Sequence, residues 1–136
     1  MATDDTDRPV RKPVAWIGSS RKDLQGFPKS VRATVGQALD DAQFGGKHPD
    51  AKPLKGFGGG GVLEVVEDDD GSTYRAVYTV RFAGIVYVLH CFQKKSKSGI
   101  KTPTQDIEKI KRRLSEAEAD YAERVPEQEA EGRADG

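Results

Sequence analysis

The sequence predicts an α+β fold: an N-terminal strand, a two-helix hairpin, a three-stranded antiparallel meander and a C-terminal helix. Three observations carry that expectation. VLEVVE, TYRAVYTVRF and IVYVLHCF follow one another with little but turn-forming residues between them, the pattern of consecutive strands. Ahead of them, Val31, Val35, Ala38, Leu39 and Ala42 recur at helical spacing. Behind them, Ile107, Ile110, Leu114, Ala117 and Tyr121 do the same. Such an order is expected to pack its helices on one face of the sheet.

Taken in order, residues 1–12 are polar and aperiodic and read as a flexible arm. VAWI, residues 14–17, is a short first strand. Ser20 followed three residues later by Asp23 resembles a helix-starting box, and that helix stops before Pro28, whose ring disfavours helical backbone in the residue ahead of it. Pro28 can open the second helix, because the first turn does not use the missing N–H, and Gly45 and Gly46 end it. The segment GGKHPDAKPLKGFGGGG reads as a loop. Its glycine run lacks the Gly-Lys-Ser/Thr spacing of a phosphate loop and leads into a strand instead of a helix.

DDDGS turns the first meander strand into the second, and Ala83-Gly84 makes a tight connection to the third, whose nearly unbroken apolar run suits a central strand. Thr102 as cap, Pro103 in the first turn and Gln105 three beyond the cap open the last helix, which extends to about Arg124. A domain spanning residues 13–124 is followed by a tail, residues 125–136, too polar and acidic to fold alone.

The chain has 136 residues, enough for one domain that buries roughly two thirds of its unfolded surface. A single cysteine, Cys91, excludes an internal disulfide framework and suits a reducing compartment. No apolar run reaches the length of a membrane span, and the N-terminus lacks the hydrophobic core of a signal peptide, so a cytoplasmic protein with no membrane partner is expected.

Net charge is zero, with 22 basic and 22 acidic residues, but the charges are segregated. Residues 64–70 carry five negative charges, whereas Lys94, Lys95, Lys97 and Lys101 fall within eight residues that hold no acid. Phasing the second and third meander strands through Ala83-Gly84 sets Phe82 opposite Ile85, Thr79 opposite Val88 and Val77 opposite His90. One face then carries Tyr74, Ala76, Tyr78, Tyr87, Leu89 and Cys91. The other carries Arg75, Thr79, Arg81, Val86, Val88 and His90, and Lys94 continues its phase. Arg75, His90 and Lys94 thus converge at one end of one face.

Guanidinium, imidazole and ammonium together suit a phosphodiester: arginine binds phosphate bidentately, lysine adds a point charge, and histidine moves protons near neutral pH. RNA brings its own nucleophile, the 2′-hydroxyl, so no metal or other cofactor is required. A packed structural histidine and a solvated lysine run are the bland alternatives, and a basic rim serves an acidic protein partner equally well. Cys91 falls in the predicted core, and His48 with Cys91 makes no zinc spacing.

WIGSSRKDLQGFPKSVRATVGQAL, KHPDAKPLKGF, YRAVYTVRF and, above all, IVYVLHCFQKKSKSGIKTPTQDIEKIKRRL resemble the RelE/ParE toxin superfamily, in particular its phage-related HigB-like branch. The resemblance covers roughly residues 13–118. It implies a RelE-like fold and the toxin of a type II toxin–antitoxin pair, often an endoribonuclease (an mRNA interferase) acting on mRNA in the ribosome, with a small helix-turn-helix antitoxin as partner. It assigns Arg75 to phosphate binding, Lys94 and Lys95 to the basic position after the last strand, and His90 or Lys95 to proton transfer, as base or acid. Arg81, Lys97 and Lys101 are further candidates for RNA binding. Glu64 and Glu67 stand where ribonuclease members carry lysines, and the C-terminal catalytic tyrosine is missing, since Tyr121 lies on the apolar stripe. A ParE-like toxin that poisons gyrase, and a non-toxic phage-derived interaction protein, are the alternative functions.

Overall fold

The computed structural model describes residues 11–58, 61–94 and 102–135, with side chains described as far as Arg124. Its elements are β1 (Val14–Trp16), α1 (Ser20–Gln25), α2 (Lys29–Gln43), β2 (Ala51–Pro53), β3 (Val62–Asp69), β4 (Ser72–Thr79), β5 (Val86–Lys94) and α3 (Thr104–Asp135). They form one five-stranded sheet in the order β1-β5-β4-β3-β2. β1 runs parallel to β5 and every other pair is antiparallel. The α+β class and the expected element order therefore hold.

β3 and β4 are joined at Asp70 and Gly71, both with positive φ (48° and 79°), the left-handed pair whose twist matches that of a two-residue hairpin. β2 was expected to be loop. Three residues with no alternation carry no strand signature, and Pro53 is tolerated there because β2 is an edge.

The expectation that the helices share one face of the sheet is overturned. α1 and α2 bury Leu24, Val31, Val35 and Ala38 against Leu63, Val65, Ala76 and Val88 on one side. α3 buries Ile110, Leu114 and Ala117 against Val62, Val77, Tyr87 and Leu89 on the other. A sheet apolar on both faces has to be covered on both, because each exposed valine or leucine forgoes about 2 kcal/mol of burial.

What moves Tyr87 and Leu89 to the α3 side is a β-bulge. From Thr73↔Lys94 to Val77↔His90 the register is the one the sequence predicts. It then shifts between Val77 and Tyr78, so that Tyr78 pairs with Val88 and Thr79 with Tyr87, and Leu89 is left without a partner on β4. A bulge sets two successive residues on the same face. Leu89 and His90 consequently both face α3, while Val86 and Val88 turn toward α1 and α2. Ala83-Gly84 is no tight hairpin either, since six residues separate β4 from β5.

Local helix signals were legible, but their hydroxyls are employed elsewhere. α1 starts at Ser20 behind Ser19, and the Ser20 hydroxyl donates to the Val88 carbonyl (3.1 Å) instead of capping. α2 starts at Lys29 with Pro28 as its cap residue, one position beyond the sequence reading. α3 begins at Thr104, and its first backbone bond runs from Ile107 to the Pro103 carbonyl (3.0 Å). α3 also continues to Asp135, through the segment expected to be a disordered tail, where glutamate, glutamine and alanine are good helix formers. Arg11 and Lys12, counted with the flexible arm, are fastened to the end of α2. Lys12 donates its backbone N–H to the Gln43 carbonyl (2.9 Å), and Arg11 pairs with Asp40 (3.4 Å).

Gly18 joins β1 to α1 with φ of 57°, and a Cβ there would lie 2.8 Å from the Arg113 guanidinium. Both backbone and space therefore demand glycine. Gly18→Ala is expected to cost about 1–3 kcal/mol, read as a lowered urea midpoint with unchanged m-value.

Candidate functional site

Arg75 on β4 and His90 on β5 lie on the face that α3 covers, at the end of the sheet where Lys94 pairs with Thr73. Alternation along β3 puts Glu64 on that same face and Glu67 on the opposite one. Only Glu64 reaches the arginine: its Oε2 accepts from Arg75 Nη1 at 3.1 Å. Thr102, the first described residue after the lysine segment, joins them. Its Oγ1 donates to Glu64 Oε2 (3.2 Å) and accepts from Arg75 Nη1 (3.4 Å). The hydroxyl expected to cap the last helix thus ties the chain entering α3 to the sheet.

A second cluster lies beside the first. His90 Nε2 is 2.7 Å from Asp106 Oδ1, on the first turn of α3. Its Nδ1 faces Arg113 Nη1 at 3.4 Å. Arginine is always a donor, so Nδ1 accepts and the ring proton resides on Nε2, where Asp106 receives it. Arg113 also donates to the Leu89 carbonyl at the bulge (2.9 Å) and to Ser19 Oγ (3.3 Å). Phe92 stacks on the imidazole, with ring centroids 4.5 Å apart and planes 18° from parallel. Burial pushes the His90 pKa below its ordinary value of 6.5, against the opposing pull of Asp106 and with help from the charges of Arg113 and Lys109.

The sequence-predicted residues accordingly meet only in part. Arg75 and His90 do share a face and an end, but they are not at an open rim: Arg75 is 2% exposed and His90 4%. Covering by α3 is the reason, and the acidic partners follow from it, since a buried guanidinium requires a carboxylate nearby and the N–H of a buried neutral imidazole requires an acceptor. Lys94 is half-buried at the end of β5, and Lys95, Lys97 and Lys101 lie outside the described residues. Arg81 is not brought to the site. It sits past the other end of β4, where its guanidinium donates to the Phe57 carbonyl and packs beside Gly61. Tyr121 packs on Phe82 (centroids 4.8 Å apart), and its hydroxyl accepts from the Gly84 N–H (3.1 Å). Cys91 is buried, its thiol pKa pushed up to about 12 by desolvation, which makes it inert.

Asp106 and Arg113 were missed. Arg113 sits between Ile110 and Leu114, inside the arc of the apolar stripe, and an arginine on that arc is the signal that could have found it. Among the described residues no three His, Cys, Asp or Glu side chains are grouped as a metal site requires, and no helix is long and apolar enough to cross a membrane.

Residues 22–115 match the family model described as Phage derived protein Gp49-like (DUF891). The chain belongs to this family. The matched residues include β3, β4, β5 and the first turns of α3, and the phage-related membership to which the sequence pointed is thereby shown. Among solved structures, the Gp49-like chain is similar to a doubly substituted form of the Escherichia coli toxin RelE in the free state, at 17% identity over 60% of this chain and 81% of that one, with a TM-score of 0.44. It is also similar to the RelBE2 toxin–antitoxin complex of Mycobacterium tuberculosis, at 22% identity over 66% of this chain and 99% of that one, with a TM-score of 0.40. No curated protein matches the chain.

Two measurements probe the clusters. Arg75→Met strands Glu64 beside a hydrophobe and is expected to cost about 3 kcal/mol, whereas Arg75→Met with Glu64→Leu should recover most of that loss in a urea titration. For His90 the sign follows from its depressed pKa: below 6.5 the unfolded chain takes up a proton that the folded chain refuses. Stability should therefore be full above pH 6.5 and fall as pH drops toward the lower folded value, with a shallower fall in His90→Gln.

Proposed function

We propose that the chain is the toxin of a type II toxin–antitoxin pair and cleaves mRNA at the ribosome without a metal ion, by attack of the RNA 2′-hydroxyl on the adjacent phosphate. A small helix-turn-helix antitoxin is its partner. The single observation that carries this reading is the family match, which includes the whole segment LHCFQKKSKSGIKTP on which the toxin resemblance rests. The site's geometry refines it. Because Arg75 and His90 are buried and paired, phosphate binding falls to Lys94 and the lysines that follow it in sequence, and Arg75 works from beneath by holding Glu64 and Thr102 in place.

A second reading, a phage-derived interaction protein without toxicity, is favoured by the same pairing. Glu64 offsets the charge of Arg75, and Asp106 adds a negative charge beside the neutral His90, both unfavourable to an RNA backbone.

Expression without antitoxin separates the two. Under the first reading growth arrests and primer extension finds cut transcripts, and Lys94→Ala with Lys95→Ala lowers cleavage at least about tenfold through the loss of charge-assisted bonds. Normal growth with intact transcripts leaves the interaction protein standing. Arrest with intact transcripts and failed DNA supercoiling indicates gyrase poisoning.

A further inference from the structure

The histidine is the obvious proton carrier by residue type, yet neither of its ring nitrogens is available. Nδ1 faces Arg113 at 3.4 Å, Nε2 is spent on Asp106 at 2.7 Å, and Phe92 covers one ring face. Only 5% of the side chain meets solvent. Asp106 is different. Its side chain is 23% exposed, and among the described residues only its Oδ1 is engaged, so that Oδ2 has no protein hydrogen bond there. Glu64, the other carboxylate of the site, is less exposed at 16%, and it is ion-paired with the buried Arg75 guanidinium and bound by Thr102, a role that a proton would break.

The geometry points to Asp106 as the group that accepts the 2′-hydroxyl proton, with His90 and Arg113 as the residues that position it. This rests on the ribonuclease reading above and deepens it. Arg113 fixes the tautomer by donating to Nδ1, the tautomer sets an N–H against Asp106 Oδ1, and that bond holds the carboxylate in place while leaving Oδ2 to take a proton. In the reaction the 2′-oxygen forms a bond to phosphorus as its proton passes to Oδ2. The bond from phosphorus to the 5′-oxygen breaks, that oxygen takes a proton from water, and the hydroxide so formed takes the proton from Oδ2 and restores the carboxylate. The products are a 2′,3′-cyclic phosphate and a 5′-hydroxyl. Among the described residues, the charged groups acting on the dyad are Arg113 and Lys109 of α3, and the imidazole itself belongs to β5.

The test is single-turnover cleavage of a translated mRNA by the full-length chain in a reconstituted translation reaction at neutral pH, with folding of each variant checked by thermal melting. Loss of a general base predicts a drop of about 100-fold or more for Asp106→Asn, with mRNA association intact. His90→Gln supplies an amide N–H in place of Nε2–H and should remain within about tenfold of the parent, while His90→Ala should fall further. Two results would overturn the assignment: Asp106→Asn cleaving within about tenfold of the parent, or His90→Gln falling as far as Asp106→Asn, which would make the imidazole the base. If the parent chain itself leaves mRNA intact, the ribonuclease reading fails first and takes this assignment with it.

Discussion

Leu89 is the residue by which β5 exceeds β4, and its carbonyl is where Arg113 anchors α3 to the sheet. Much else depends on that contact. The bulge sends Leu89 and His90 to one face, and that face must then be covered by an element able to bury leucine and satisfy imidazole together. α3 does both, with Ile110 and Leu114 on either side of an arginine whose guanidinium spans the carbonyl, the imidazole and Ser19. Gly18 makes the span possible, because any side chain there would occupy the guanidinium's place.

Burial of basic groups then governs the chemistry. Arg75 on β4 is balanced by Glu64 from β3, and the neutral His90 on β5 donates to Asp106 from α3, so each pair joins two successive elements of the chain. Pairs of this kind stabilise weakly in sum, since desolvation opposes their attraction, but losing one partner is costly because the other stays buried. They therefore hold a unique arrangement of β3, β4, β5 and α3 more than they add to its stability. Within each pair the carboxylate is the more exposed member, and Lys94 is half-buried, an inversion of what the residue types alone suggest.

Elements with strong periodicity were readable. α2, the start of α3 and the three meander strands all appear where apolar spacing put them, and the β3–β4 turn sits at its Asp-Gly. Reading failed where the physical cause is non-local. β2 has three residues and owes its existence to β3 beside it. The hydroxyls of Ser20 and Thr102 have ordinary capping positions, but better partners arrive from 68 residues away at Val88 and 38 away at Glu64. In the site, the shared face of Arg75 and His90 was legible because the register holds from Thr73 to Val77. Their burial was not.

The sequence by itself determined the strongly periodic helices and strands, that Val77 lies opposite His90, and that the chain is phage-related, as the Gp49-like family match shows. Period, turn residues and motif are local properties of the chain, and a reader of the chain has them in full. Only the tertiary structure decided which face each side chain meets and whether a cation is open to solvent or sealed beneath a helix. One extra residue in β5 reverses the face of all that precedes it in the strand, and nothing in the side-chain pattern marks the residue at which the count slips.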